Sequence, residues 1–201
     1  MPDPRTDEIA QQAARLLETR RARDIDDAIR MAAEALGHVR AVLPGHGRVR
    51  EHARAMALAA LGEAGYAESV RKVWEAAERL MTVLVESMSD ARVLLVGRAA
   101  AGQIDGGVTV HVRLYTETDI GEVARTLVNF GYGEPEFETA ETRLGRLSRL
   151  RLEDEGIELV ITRCLPHMAG GVEADLFTGR PIETAELEEV RRKLSPGNAE
   201  R

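Results

Sequence analysis

The hydrophobic period of this chain changes near residue 91. Before that point apolar residues recur with the 3.6-residue spacing of helices buried along one stripe. After it they alternate with the two-residue spacing of strands. Such a chain must combine a helical layer with a sheet. In the first half Ile9, Ala13, Leu16 and Leu17 stand at i, i+4, i+7 and i+8 and predict a helix over 7–20. Asp24 is placed as an N-cap, and the helix after it, through Ala28, Ile29, Ala32, Ala33 and Leu36, is expected to stop at Gly37. Residues 42–47, Val-Leu-Pro-Gly-His-Gly, predict a loop. A third helix is expected over 48–61, ending near Gly62 and Gly65. A fourth is expected over 66–88, with Val70, Val73, Trp74, Ala77, Leu80, Met81 and Leu84 as its stripe.

In the second half, residues 92–97 give a short apolar strand. Residues 107–115 alternate strictly, with Val108, Val110, Val112 and Leu114 on one side and Gly107, Thr109, His111 and Arg113 on the other. Asp119 caps a helix through Ile120, Val123, Leu127 and Val128 that ends at Gly131. Strands follow over 134–139, 147–153 and 157–163, the last two joined by the turn Asp154-Glu155-Gly156. Pro166 opens a loop containing Gly170 and Gly171, and a last helix covers 183–194. Strands and helices do not alternate one for one. The expected class is therefore α+β, with a helical region over 1–90 and a mixed β-sheet in a domain over 91–201.

Composition narrows the function. The net charge is −7 and aromatic residues are 3% of the chain, so a broad electrostatic grip on nucleic acid and stacking platforms for bases are both unlooked for. All but Lys72 and Lys193 of the 27 cations are arginine. Beside so much alanine, this is the bias of GC-rich codon usage rather than a sign of phosphate binding. The lone Cys164 rules out an internal disulfide and a multi-cysteine zinc site. No apolar run approaches the ~20 residues that span a bilayer, and the acidic start MPDPRTDE has no secretory character. The expected setting is cytoplasmic, without membrane. His38, His46 and His52 lack the spacing of a helical metal pair and are not placed as ligands.

One motif carries chemistry. The strand 93–96 runs into Gly97-Arg98-Ala99-Ala100-Ala101-Gly102, and the strand 108–112 follows. By itself this is an ordinary turn. Together with the later strand 156–164 and the segment Phe177-Thr178-Gly179-Arg180-Pro181-Ile182 before a closing helix, it resembles the core of the polymerase-β-type nucleotidyltransferase family over about residues 90–195. That family has a Gly-Ser turn with a second glycine shortly after, a strand with Asp-x-Asp, and a third acidic residue on a later strand. The whole chain also resembles a group of bacterial proteins in which a helical segment precedes a divergent nucleotidyltransferase-like domain.

The departures from that pattern decide the expectation. Arg98 stands where the family has serine. The two Asp-x-Asp positions fall on Gly107 and Thr109, and only Glu158 keeps an acidic group. In such enzymes the carboxylates hold two Mg²⁺ ions against the nucleotide phosphates. Mg²⁺ demands hard, charged oxygen ligands, and one glutamate is too little for two ions. The resemblance therefore implies an inactive nucleotidyltransferase fold with no cofactor, working as a binding module. Its partner is a nucleotide or other phosphate-bearing molecule in the old cleft, or a protein or second copy through the N-terminal helices. The candidate ligand-binding residues are Gly97, Arg98, Gly102, Thr109, His111, Arg149, Arg151 and Glu158. The active alternative needs Mg²⁺ on Asp105 and Glu158, with Glu153 in support. The structural module alone, a dimerising helical layer, is the third reading. Each residue also has a plain role: Arg149 and Arg151 as an exposed sheet face paired with glutamates, and His111 with Glu158 as a hydrogen-bonded pair.

Overall fold

A computed structural model describes residues 3–19, 21–22, 24–104 and 109–195, and Asp105, Gly107 and Val108 lie outside the described residues. The chain forms two compact units that divide inside a helix, between Ser69 and Val70, with Ile104 returning to the first.

The first unit is helical. α1 (Pro4–Glu18) starts one turn earlier than its apolar spacing suggests, because Pro4 suits a first-turn position and the Asp3 carboxylate caps the Arg5 amide. α2 (Ile25–Ala35) is capped as expected, Asp24 Oδ1 accepting from the Asp27 amide at 2.7 Å. Its core is largely alanine: Ala10, Ala13, Ala14, Ala28, Ala32 and Ala33 are buried with Ile9, Ile29 and Val49. Small side chains let helix backbones approach closely, but each buries little area. α3 (His46–Ser87) is two helical arms that meet at a kink, because Gly62 leaves helical geometry (φ 69°, ψ 171°) at the break that the sequence leads one to expect. The three histidines of this unit each meet a carboxylate: His38 Nε2 with Glu8 at 3.3 Å, His46 Nε2 with Asp26 at 2.7 Å and His52 Nε2 with Asp7 at 2.9 Å.

The second unit holds the distal arm of α3 and the sheet. In chain order come β1 (Arg92–Val96), β2 (Thr109–Tyr115), α4 (Ile120–Asn129), β3 (Glu136–Thr142), β4 (Gly145–Asp154), β5 (Ile157–Cys164), a 3₁₀ turn (Pro166–Gly171), β6 (Thr184–Ala185) and α5 (Leu187–Leu194). The strands lie in the order β3-β4-β5-β2-β1-β6. Among the described strands only β2 and β5 pair parallel, so the sheet is mixed and the fold α+β. The closing helix is shorter than its expected 183–194. Thr184 and Ala185 are drawn instead into ladder pairing with Val96 and Leu95. β3 is likewise displaced from 134–139, because its antiparallel register with β4 runs on to Thr142 opposite Gly145.

One sheet face is apolar: Val110, Val112, Leu114, Leu150, Leu159 and Ile161 are buried, with α4 lying against β4 and α5 against β1. The opposite face is divided. Near the ends of β2 and β5, the segment 165–182 folds over it, packing Met168, Val172, Leu176 and Ile182 on Leu94, Val96, Tyr115, Leu147 and Cys164. Burial there pushes the Cys164 thiol up to about 11, so it behaves as a small apolar filler. The rest of that face carries the polar side chains of β2, β4 and β5. Among the described residues no helix is long and apolar enough to cross a membrane.

Candidate functional site

Strand alternation and register bring the site together. Thr109 pairs with Glu158, His111 with Val160 and Arg113 with Thr162 across β2 and β5. Arg149 pairs with Thr162, Arg151 with Val160 and Glu153 with Glu158 across β4 and β5. Residues opposite each other share a face. Thr109, His111, Arg113, Arg149, Arg151, Glu153 and Glu158 therefore stand together; within each strand this is the alternation read from the sequence, and the pairing of the strands brings the three sets onto one face.

Their bonds show what the group does. The Thr109 hydroxyl donates to Glu158 Oε2, and Arg151 Nη1 forms an ion pair with Glu158 Oε1. Arg151 Nε reaches the other way, to Glu138 of β3 at 2.8 Å. Burial alone would raise the Glu158 carboxyl, but the Thr109 hydroxyl and Arg151 guanidinium outweigh it and hold the group below its ordinary value. Arg149 is different. Its Nε donates to the Thr162 hydroxyl at 3.3 Å and its guanidinium lies 5.9 Å from the Phe177 ring centre, while no carboxylate lies within ion-pair distance of it among the described residues. Beneath them Arg113 is 2% exposed and donates from Nη1 to the Val172 carbonyl at 3.0 Å.

Protein atoms surround the His111 ring without covering it, so the residue stays wetted. This crowding, then the charge of Arg149, holds the imidazole down, to about 4. A histidine whose folded value lies below its unfolded one binds fewer protons folded than unfolded between the two. Stability is then fully present above about pH 6.5 and falls as the pH drops toward 4. His111→Gln is expected to flatten the stability profile in that window. The check is the urea midpoint measured from pH 4 to 7 for both proteins, and parallel profiles would refute the assignment.

The glycine motif proves to be a packed turn. Gly97 (φ 74°) and Gly102 (φ 69°) use backbone conformations that side chains resist. The amides of Gly97, Ala101, Gly102 and Gln103 donate to the carbonyls of Glu183, Gly97, Ala99 and Arg98. Trp74 Nε1 donates to the Ala99 carbonyl at 2.8 Å and Lys193 Nζ to that of Ala100 at 2.7 Å. Arg98 is half-buried at the start of this turn. The second glycine thus has a packing reason of its own, because a Cβ there would stand 2.9 Å from the Trp74 ring. Asp105, a ligand in the active alternative, lies outside the described residues, as does Gly107. Among the described residues no group of three or more His, Cys, Asp or Glu side chains is placed to hold a metal ion.

The sequence reading left out Glu138 and Asp175 and named Phe177 only within a matched segment, without a part in the site. Asp175 Oδ1 accepts from the Thr178 amide at 2.6 Å and the Thr178 hydroxyl at 2.8 Å, which fixes the loop that presents Phe177 to Arg149. An Asp-x-x-Thr turn signal was present in the sequence, but nothing in it said which face the loop would cover. With Arg113, Arg149 and Arg151 against Glu138, Glu153, Glu158 and Asp175, the site sets three cations against four anions. Comparison with protein-family models, with curated proteins and with solved structures finds no match for this chain.

Proposed function

We propose that the open half of the polar sheet face binds a phosphate-bearing small molecule, nucleotides included, and transfers nothing. The observation that carries this reading is the state of Glu158. Its two oxygens are engaged by Thr109 and Arg151, so a guanidinium already neutralises the acidic group that the nucleotidyltransferase likeness would assign to a divalent ion. A metal would have to displace an ion pair before finding its first charged ligand. Arg149 supplies the complementary half of the argument. Among the described residues its one hydrogen bond goes to a neutral hydroxyl, which leaves donors of a planar, permanently charged group for phosphate oxygens, with the exposed Phe177 ring beside it.

The test is a thermal-shift panel of nucleoside triphosphates and inorganic phosphate on the full chain. A ligand that binds only the native state raises its melting temperature. A charge-assisted hydrogen bond contributes ~1.5–3 kcal/mol, so Arg149→Ala is expected to weaken binding by about tenfold or more, conversion at 1.4 kcal/mol per decade. An undiminished shift in that variant would remove Arg149 from the site.

A further inference from the structure

The sheet has two outer edges, and they differ. Among the described strands β6 closes one edge with only two residues, Thr184 and Ala185. β3 closes the other with seven, Glu136–Thr142, and is hydrogen-bonded to β4 alone. In an antiparallel ladder every second residue turns its N–H and C=O away from its neighbour. On an edge strand those groups face solvent and form a template for a further strand. Edges are commonly blunted by a bulge, an internal proline, a lysine or a very short length. β3 has none of these. Its register with β4 runs one for one from Glu136 opposite Arg151 to Thr142 opposite Gly145, and Pro135 stands before the strand rather than in it. Its guard is negative charge, from Glu136, Glu138 and Glu141, and that charge admits a basic strand while repelling an acidic one.

The side chains of β3 alternate between two faces. Glu136 and Glu138 lie on the face of Arg149 and Arg151, and Phe137 lies on that of Leu150. Glu138 is held by Arg151. Glu136 is open: Arg151 stands opposite it but reaches instead to Glu138 and Glu158, and among the described residues no ion pair engages Glu136. Phe137 is 61% exposed, so the largest apolar side chain of the strand is left mostly uncovered.

We propose that the free edge of β3 takes up, as an added strand, an extended segment of another protein in which basic residues alternate with apolar ones. Backbone hydrogen bonds supply the grip, and the alternation supplies the choice. A basic side chain falls beside Glu136, and the next residue, on the other face, falls beside Phe137. A second copy of this chain fits poorly. β3 laid antiparallel on itself about Thr139 sets Glu138 of one copy diagonal to Glu138 of the other, a like-charge approach.

The experiment is fluorescence anisotropy of a labelled Lys-Val-Lys-Val-Lys-Val peptide titrated with the full chain. Its controls are the block isomer, with the lysines grouped at one end, and the same peptide with glutamate in place of lysine. The alternating basic peptide is expected to bind, and the block isomer, of equal charge, is not. Methylating the peptide's amide nitrogens separates strand addition from loose charge attraction. An added strand uses every second amide, so methylation of one alternate set should abolish binding and methylation of the other should spare it. Glu136→Gln and Phe137→Ala, both at exposed positions, should each weaken binding about two- to fivefold, the range of one cross-strand pair, with the circular dichroism unchanged. No binding, equal binding of the block isomer, equal effects of the two methylated sets, or unchanged affinity in both variants would overturn the proposal. So would a chain that sediments as a dimer and excludes the peptide.

Discussion

Arg113→Ala is expected to destabilise the sheet unit by about 2–4 kcal/mol, because it removes a hydrogen bond from a charged donor, ~1.5–3 kcal/mol, together with the packing of a buried side chain. Arg113 lies on β2 beneath the segment 165–182 and is 2% exposed. Its loss leaves the Val172 carbonyl without a donor and takes from Asp175 a cation that helps hold its carboxyl below the ordinary value. It also opens a hole under the segment. The effect reaches the candidate site, because the same segment presents Phe177 to Arg149. Arg113→Lys keeps the charge but not the forked donors and should recover only part of the loss. The chain has one tryptophan, Trp74, and it belongs to the sheet unit, so its fluorescence follows the unfolding of that unit in urea. A loss under about 1 kcal/mol, no more than an ordinary hydrogen bond, would show that Arg113 does not pin the segment.

Gly102→Ala is expected to cost about 2–5 kcal/mol, with two sources. A left-handed backbone angle penalises any Cβ by ~1–2 kcal/mol, and overpacking adds ~1–3 kcal/mol. The second source is large here because the obstacle cannot step aside. The Trp74 ring that a Cβ would meet at 2.9 Å is tied by Nε1 to the Ala99 carbonyl and lies 5.4 Å from the Lys193 ammonium. Gly179 provides the contrast. Its angle is also left-handed, at 70°, but a Cβ would meet the guanidinium of Arg143, the end of a flexible side chain. Gly179→Ala should cost only the backbone share, ~1–2 kcal/mol. Urea unfolding followed at Trp74 compares the two, and equal losses would show that the indole yields. This comparison also separates two meanings of the Gly97–Gly102 motif. A packing role for Gly102 predicts lost stability, whereas a purely ligand-cradling role predicts lost binding in a protein of unchanged stability.

Much of this architecture was legible because local rules and tertiary structure agree. The alternation over 107–115 placed Thr109, His111 and Arg113 on one face, and the alternation of Arg149, Arg151 and Glu153 with leucines did the same on β4. Asp24 and Asp119 cap the helices their positions announce. The turn Asp154-Glu155-Gly156 closes a tight hairpin with positive φ at Glu155 (49°) and Gly156 (81°), the pattern that suits the strand twist. What periodicity could not supply is partnership. It gave no reason for β2 to lie parallel to β5, and hence none for Glu158 to meet Thr109 and Arg151. The segment 165–182 has no period at all, so its cover over half the face, and with it the parts played by Asp175 and Phe177, follow from packing alone. Thr184 and Ala185 were absorbed into a helix because two residues are too few to show alternation. The segment after Gly97 reads by itself as an ordinary turn and joined the candidate site only through a family resemblance, and its bonds to Trp74 and Lys193 could come only from contacts distant in sequence.

The reading of the polar face as a metal-free binding site is tested most directly by its indifference to magnesium. The measurement is the thermal shift caused by a nucleoside triphosphate, in excess Mg²⁺ and again in excess chelator, for the wild-type chain and Glu158→Gln. A metal-free site gives the same shift in both media, and an effect of the glutamate substitution no different with metal than without. A shift that needs Mg²⁺ and vanishes in Glu158→Gln would mean that the carboxylate releases Arg151 to take a metal, and would contradict it.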